Sequence, residues 1–495
     1  MDKKKAIKLA IYCGITLTLV SLYFLFGLLL ATGGGADGWN TFFGVDSAHY
    51  YDAFLNKDSV HYWRTEKHPF YGIFIYPVVW LLKQIAFSDI AAVMLTQAIA
   101  ATACVWLVYF ILRTITKRLG GHGIFIYILT TILVFSFSVL VFASVVDVYI
   151  FGMLSLLIFW AYFCKKYKTQ LEKRDYAILI ILGVVCMSMT LTNFLQFIIG
   201  ASFLVVFNEK KTREKFWPDV WKYCVMMIYI LTIATALSVF QMIVFPYAKL
   251  WPMHLADIIR EIFAGEGLEY IDNPWGLQFM KIPTLATILW GIVSFFGIAF
   301  VAPPLVRDQN WRVNRWARDG YHGEGEFIPT FNAFHWVVFA IFAAILIYAL
   351  INIIRQKRFS FALPFIVTMV VQFVFNSLYS FDEAFLFSAH FVFLPIIFLG
   401  ISAPHLKFRK KPTDISNLVF TGALIVYALI LIVSNISAMS FIVGEVFKTV
   451  YEINVAANFF VTIAMFLVTV LLGVCGFIAY LFIRDKYKKK DNASS

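Results

Sequence analysis

Apolar runs of about twenty residues, each closed by a short basic or polar-aromatic segment, recur along the whole chain. Runs of that length predict membrane-spanning helices and exclude an outer-membrane barrel, whose strands would alternate over about ten residues. The pattern predicts spans at Ala6–Leu30, Ile90–Leu112, Gly123–Ala143 and Tyr149–Phe163. Tyr176–Phe207 is too long for one span and is read as two, turning at the polar segment Ser188–Asn193. Further spans are expected at Tyr223–Phe245, Phe334–Ile354, Phe361–Leu378, Phe385–Ile401, Leu418–Ser437 and Asn458–Phe482. The fold class is therefore an all-α polytopic membrane protein with about twelve transmembrane helices. Two apolar stretches fit less well. Phe70–Leu82 is too short to span and reads as a juxtamembrane or re-entrant helix, started by Pro69.

Thr284–Val301 is the second, and charge decides its reading. Lys3, Lys4, Lys5 and Lys8 place the N-terminus in the cytoplasm. If Thr284–Val301 does not span, the later basic clusters Arg355–Arg358, Lys407–Lys411 and Arg484–Lys490 all fall inside as well. That topology is preferred. It leaves Thr284–Val301 on or dipping into the outer leaflet and both termini cytoplasmic. The chain is 61% hydrophobic and 14% charged, with a mean hydropathy of +0.80. Its formal charge of +12 sits in short topogenic clusters, so nucleic acid is not a partner and membrane lipids are. The six cysteines lie in or beside apolar runs without paired spacing and read as small buried hydrophobes. The first apolar run is too long for a signal-peptide core and is expected to be retained.

The unusual polar content gathers on the outer side. Trp39–Pro69 packs Asp46, Asp52, Asp58, Glu66, three histidines, Arg64 and Lys67 among aromatics. Asp147 stands in the turn before Tyr149, and Asn376–Phe391 carries Asp382, Glu383 and His390. The loop Tyr247–Ala333 holds Arg312, Arg315 and Arg318, whose spacing of three gives one basic helix face. Ionisable groups near membrane depth are costly and point to function. Each also has a structural rival. Asp46, Asp147 and the Asp382–Glu383 pair suit helix starts, His68 suits a cap before Pro69, and the arginine face suits lipid phosphate in general.

GVDSAHYY around Asp46, EKHPFYGIFIYP around His68, VVDVYIF around Asp147 and FDEAFLFSAHF late in the chain resemble the GT-C class of polyprenyl-phosphate-sugar-dependent glycosyltransferases. The similarity covers residues 1–405, a GT-C-like catalytic module; residues 406–495 then form a terminal helix pair and a basic cytoplasmic tail. Within the class the chain is similar to bacterial enzymes that decorate cell-envelope glycans. The resemblance implies a multi-pass plasma-membrane enzyme with an extracytoplasmic site, a polyprenyl-phosphate sugar donor and a glycan acceptor. Asp46 would be the general base of an inverting displacement. Arg64, Lys67, His68, Arg312, Arg315 and Arg318 would meet the leaving phosphate, with Asp147, Glu383 and His390 completing the substrate site. Many members carry adjacent acids in the first loop, whereas here Ser47 follows Asp46. No cofactor is expected. A divalent cation on loop carboxylates stays compatible with the sequence, although no ligand pattern marks one. The alternatives are a transporter or flippase of lipid-linked glycans, expected to show broken helices and midplane polar groups, and a polymerase or ligase of glycan units.

Overall fold

The computed structural model describes residues 3–38, 47–85, 87–207, 216–252, 285–308, 326–379, 385–403 and 415–451. Asp46, Arg312, Arg315, Arg318, Glu383 and the expected span Asn458–Phe482 lie outside the described residues. In chain order the elements are α1 (Lys3–Gly38), α2 (Ser47–Leu55), a 3-10 helix (Val60–Glu66), α3 (Tyr71–Gln84), α4 (Asp89–Leu119), α5 (Ile124–Val134), α6 (Phe137–Ser144), α7 (Tyr149–Lys166), α8 (Lys173–Met189), α9 (Leu191–Val205) and α10 (Phe216–Val244). They continue with α11 (Leu285–Val293), a π-helical turn (Ser294–Ile298), β1 (Leu305–Asp308), β2 (Glu326–Pro329), α12 (Ala333–Arg355), α13 (Phe359–Tyr379), a second 3-10 helix (Leu386–His390), α14 (Phe393–Ser402) and α15 (Ile415–Tyr451). β1 and β2 pair antiparallel, the one departure from an all-helical reading among the described residues.

Among the described residues, seven helices are long and apolar enough to cross a membrane: Leu9–Ala31, Asp89–Leu119, Tyr149–Lys166, Phe216–Val244, Ala333–Arg355, Phe359–Asn376 and Asn417–Gly444. The pair α5–α6, bent by 52°, makes an eighth if counted as one span. Helix also occupies the other described stretches where spans were expected, but α8 has 17 residues and α9 has 15. Their break falls at Thr190, inside the polar segment that signalled it. Local chemistry sets the boundaries of α4: Ser88 Oγ accepts from the Ala91 amide at its start, and Gly120, at φ 72°, takes the left-handed conformation that closes its end. Cys104, Cys164 and Cys186 are buried as expected, whereas Cys13 and Cys224 are exposed. They sit on faces of α1 and α10 that also expose Leu17 and Ile228, a lipid-facing environment in which a thiol needs no burial.

Among the described residues, 285–301 form no single helix long enough to span. α11 contributes nine residues and the π turn five, about 21 Å of helix. Its lower end packs deep: the ring of Phe300 lies 4.6 Å from that of Phe342, part-way along α12. There it meets the α5–α6 break. The first amides of α6 have no intrahelical acceptor; Phe137 N donates to Phe300 O at 3.1 Å and Ser138 N to Ala299 O at 2.9 Å. Asn435, fully buried within α15, closes the junction. Its Nδ2 donates to Phe135 O and Phe300 O, and its Oδ1 accepts from Ala302 N at 2.7 Å. The α5–α6 bend thus carries a buried amide, and through it α15 pins two other elements. Asn435→Leu is expected to lower stability by about 1–2 kcal/mol, read as an earlier thermal melt of detergent-solubilised protein.

The opposite end of the bundle is rich in cations that cap helices. Arg118 donates to the carbonyls of Cys164 (2.7 Å) and Tyr167 (2.7 Å) at the end of α7. Arg358 donates to Leu119 O, Ile401 O and Ala403 O at 2.7–2.9 Å, joining the ends of α4 and α14 to the α12–α13 turn. Lys166 pairs with Asp175 at 2.8 Å. Burial alone would raise the Asp175 carboxyl, but the Glu172 amide, Lys166 and Tyr162 together hold it at about 2.

Candidate functional site

The segment from Ser47 to Phe70 is a packed platform, not a trailing loop. Tyr62 is fully buried, donates its hydroxyl to Ala53 O at 2.6 Å and stacks on Tyr71 at 5.5 Å between centroids. The ring of Phe245, just beyond α10, lies 4.4 Å from that of Tyr62. Ser59 caps the 3-10 helix by accepting from the His61 amide and is itself hydrogen-bonded to Asp52. The aromatic residues that made this stretch conspicuous in the sequence are its core.

The turn from Lys67 to Phe70 is clamped to the α8–α9 break. A broken helix leaves carbonyls at one end and amides at the other without partners, and this turn supplies both. Phe70 N donates to Ser188 O at 2.8 Å, His68 Nδ1 reaches Met189 O at 2.7 Å, and Leu191 N donates to Lys67 O at 3.2 Å. Gln241 Nε2 of α10 donates to Pro69 O at 2.6 Å. His68, 9% exposed, thus spends one ring nitrogen on a helix end distant in sequence and not on the start of α3, whose N-cap is Phe70 with no side-chain bond. Arg64 is also buried; its Nη2 lies 3.1 Å from His49 Nδ1, and its guanidinium is 4.9 Å from the Trp63 ring and 5.6 Å from the Tyr50 ring. Lys67 contributes its carbonyl to the clamp and is half-buried.

Asp147 and His390 approach the same region from below. Asp147 is 1% exposed; its Oδ1 accepts from the Val148 amide at the entry to α7, and its carbonyl accepts from Gln97 Nε2 at 3.2 Å. Two residues on, Tyr149 lies 5.3 Å from the His390 ring. Gln196 of α9 donates to His390 O at 2.7 Å and accepts from Trp160 Nε1 at 3.1 Å, fixing the short 3-10 helix that ends at His390. Asn193 Nδ2 donates to Gly152 O at 3.2 Å. The start of α9 links the two histidines, since Thr190 Oγ1 lies 3.1 Å from His68 Nδ1 and Asn193 reaches Gly152, against which His390 packs; Tyr50, 5.8 Å from the His68 ring, links His68 to Arg64.

Gly152 is what lets the cluster close. A Cβ there would lie 2.3 Å from His390 Nε2 and 3.0 Å from Asn193 Nδ2. Gly152→Ala must displace the imidazole, which has no room elsewhere in a close-packed interior. A loss of about 1–3 kcal/mol of stability is expected. It should appear as an earlier thermal melt, with Ala at the exposed Gly123 as the harmless comparison, since nothing lies within 4 Å of a Cβ there.

Of the residues named from sequence, Arg64, Lys67, His68, Asp147 and His390 gather at one end of the bundle; Asp46, Arg312, Arg315, Arg318 and Glu383 lie outside the described residues. Ser47, which follows Asp46 in the sequence, is buried and begins α2. Asn193, Gln196 and Gly152 were not foreseen. The polar SMTLTN stretch was read as a turn, and its one amide side chain, Asn193, could have marked it as a partner for other elements. His390 Nε2 and Asn193 Oδ1 are buried without a hydrogen-bond partner among the described residues. Among those residues no group of three His, Cys, Asp or Glu is arranged to hold a metal ion. No family model, curated protein or solved structure matches the chain.

Proposed function

We propose that this chain is an integral-membrane glycosyltransferase of the GT-C type that moves a sugar from a polyprenyl-phosphate carrier to a cell-envelope glycan, with inversion, on the extracytoplasmic side. One observation carries the reading. Arg64 and His68 from one stretch of sequence, Asp147 from a second and His390 from a third gather at one end of an apolar bundle. The cation-rich caps of Arg118, Arg358 and Lys166 lie at the other end. Positive-inside orientation then makes the site end extracytoplasmic and, with about twelve spans, both termini cytoplasmic.

In this reading Asp46, next to Ser47 in the sequence, takes the proton of the attacking acceptor hydroxyl. Arg64 and Lys67, joined by the Arg312–Arg318 face, stabilise the charge that builds on the leaving polyprenyl phosphate. The clamp between the Lys67–Phe70 turn and the α8–α9 break keeps these groups at fixed separation, which matters because small displacements cost much of the rate. Asp147, Glu383 and His390 shape the polar floor. No step requires a cofactor.

The bent α5–α6 pair and buried Asn435 are features that a transporter of lipid-linked glycans would also have. Asn435, however, is saturated by three backbone partners and offers nothing to a passing solute. The test uses purified protein in liposomes with a radiolabelled polyprenyl-phosphate sugar and a cell-wall glycan. Label in the glycan, with none from a nucleotide sugar, is expected. Movement of the lipid between leaflets without transfer would replace this reading with the transporter.

A further inference from the structure

The basic end of the bundle carries backbone strain that glycine would avoid. Among the described residues two non-glycine residues have positive φ, and both are lysines, Lys168 at 61° and Lys357 at 55°. Each stands where glycine is the usual choice. Lys168 follows Tyr167 (φ −55°, ψ 134°) in a turn closed by Thr169 N to Lys166 O at 2.9 Å, and takes the third place of a type II turn. Lys357 is the left-handed residue that closes α12: its amide donates to Ile354 O at 3.0 Å, and the Arg358 amide to Ile353 O at 2.9 Å. A side chain in this conformation costs energy, which points to a use for the ammonium groups.

The two turns meet at Ser360. Tyr167 Oη donates to Ser360 O at 2.9 Å, and Lys168 Nζ to Ser360 Oγ at 2.6 Å. Lys168 thus braces the junction. Lys357, three residues before Ser360, is exposed, and so is Arg355; neither side chain has a partner among the described residues. The carboxylates described at this end are committed elsewhere. Glu172 and Asp175 cap α8, with Lys166 on Asp175, and Asp219 pairs with Lys222. Arg355 also ends an apolar face. Ile347 and Ile351 precede it at intervals of four residues, Ile354 and Phe359 flank it, and all four are exposed.

We infer that Arg355 and Lys357 form a docking site for the phosphate of an anionic glycerophospholipid, whose acyl chains lie along Ile347, Ile351, Ile354 and Phe359. The free cations attract phosphate and the apolar face attracts hydrocarbon, a pairing that a soluble anion does not use. The leaflet rests on the orientation proposed above, which makes this end cytoplasmic. The chemistry of the site does not, and it is independent of sugar transfer.

The test is native mass spectrometry of the full chain in neutral detergent, titrated with phosphatidylglycerol or phosphatidylcholine. A saturable phosphatidylglycerol adduct is expected, with phosphatidylcholine about tenfold weaker. Lys357→Gly and Arg355→Gln should each weaken phosphatidylglycerol about fivefold. Lys357→Gly also separates charge from structure. Glycine suits the left-handed position, so its melt in lipid-free detergent should match or exceed that of the wild type. The rise in melting temperature that phosphatidylglycerol gives the wild type should shrink in this variant. Equal binding of the two lipids, unchanged affinity in both variants, or an earlier lipid-free melt of Lys357→Gly would overturn the inference. So would full displacement of the lipid by glycerol 3-phosphate at equal concentration, which would make this a site for a soluble anion.

Discussion

Asp46→Asn is expected to lower the rate of sugar transfer by about 10²- to 10⁴-fold, the contribution of a positioned general base. The substitution separates the two roles open to this residue. Asparagine caps a helix about as well as aspartate does, so α2, which begins at Ser47, keeps its start. An amide takes up no proton at neutral pH, so the acceptor hydroxyl loses its base. A variant with unchanged thermal stability and near-complete loss of turnover is the expected result, measured as initial rates at saturating donor and acceptor. A variant that transfers sugar at close to the normal rate would leave Asp46 as a cap and move the base elsewhere.

Arg358→Met is expected to have the largest effect on stability, a loss of about 3 kcal/mol or more. Arg358 is 7% exposed, and its guanidinium serves three carbonyls on two different helix ends. Burial pushes its pKa down from the ordinary value, but an arginine remains charged at any relevant pH. Removing it leaves the carbonyls of Leu119, Ile401 and Ala403 without that partner. Arg358→Lys should recover only part of the loss, because an ammonium cannot reproduce a planar fork that reaches three acceptors. Tryptophan-fluorescence melts in detergent rank the three proteins; equal melting of wild type and Arg358→Met would show the network to be incidental.

Helix content was the most legible feature of the sequence, because a bilayer imposes a length and an apolar character that survive without knowledge of the partners. The Thr190 break was legible for the same reason: SMTLTN is polar where a continuous span would not be. The α5–α6 break was not. Its local sequence offers only Ser136 and Ser138, and the groups that stabilise it come from Phe300 and Asn435. Such long-range partners leave no local trace. Asn435 itself was passed over because it is uncharged within an apolar run. The candidate site was partly legible. Arg64, His68, Asp147 and His390 drew attention as ionisable groups, while Gly152 and Gln196 matter only through what they touch, a clearance of a few ångströms and one backbone carbonyl. The role of His68 was divided in the sequence between phosphate contact and a cap before Pro69; its bond to Met189 O is neither, and joins the turn to the distant end of α8.

The anomeric configuration of the transferred sugar addresses the central claim most directly. Purified protein would be given a polyprenyl-phosphate sugar and a glycan acceptor, and the product linkage read by NMR. Displacement by a hydroxyl activated through one carboxylate predicts a product of opposite configuration to the donor. Retained configuration, or no product from the wild-type protein, would contradict the account.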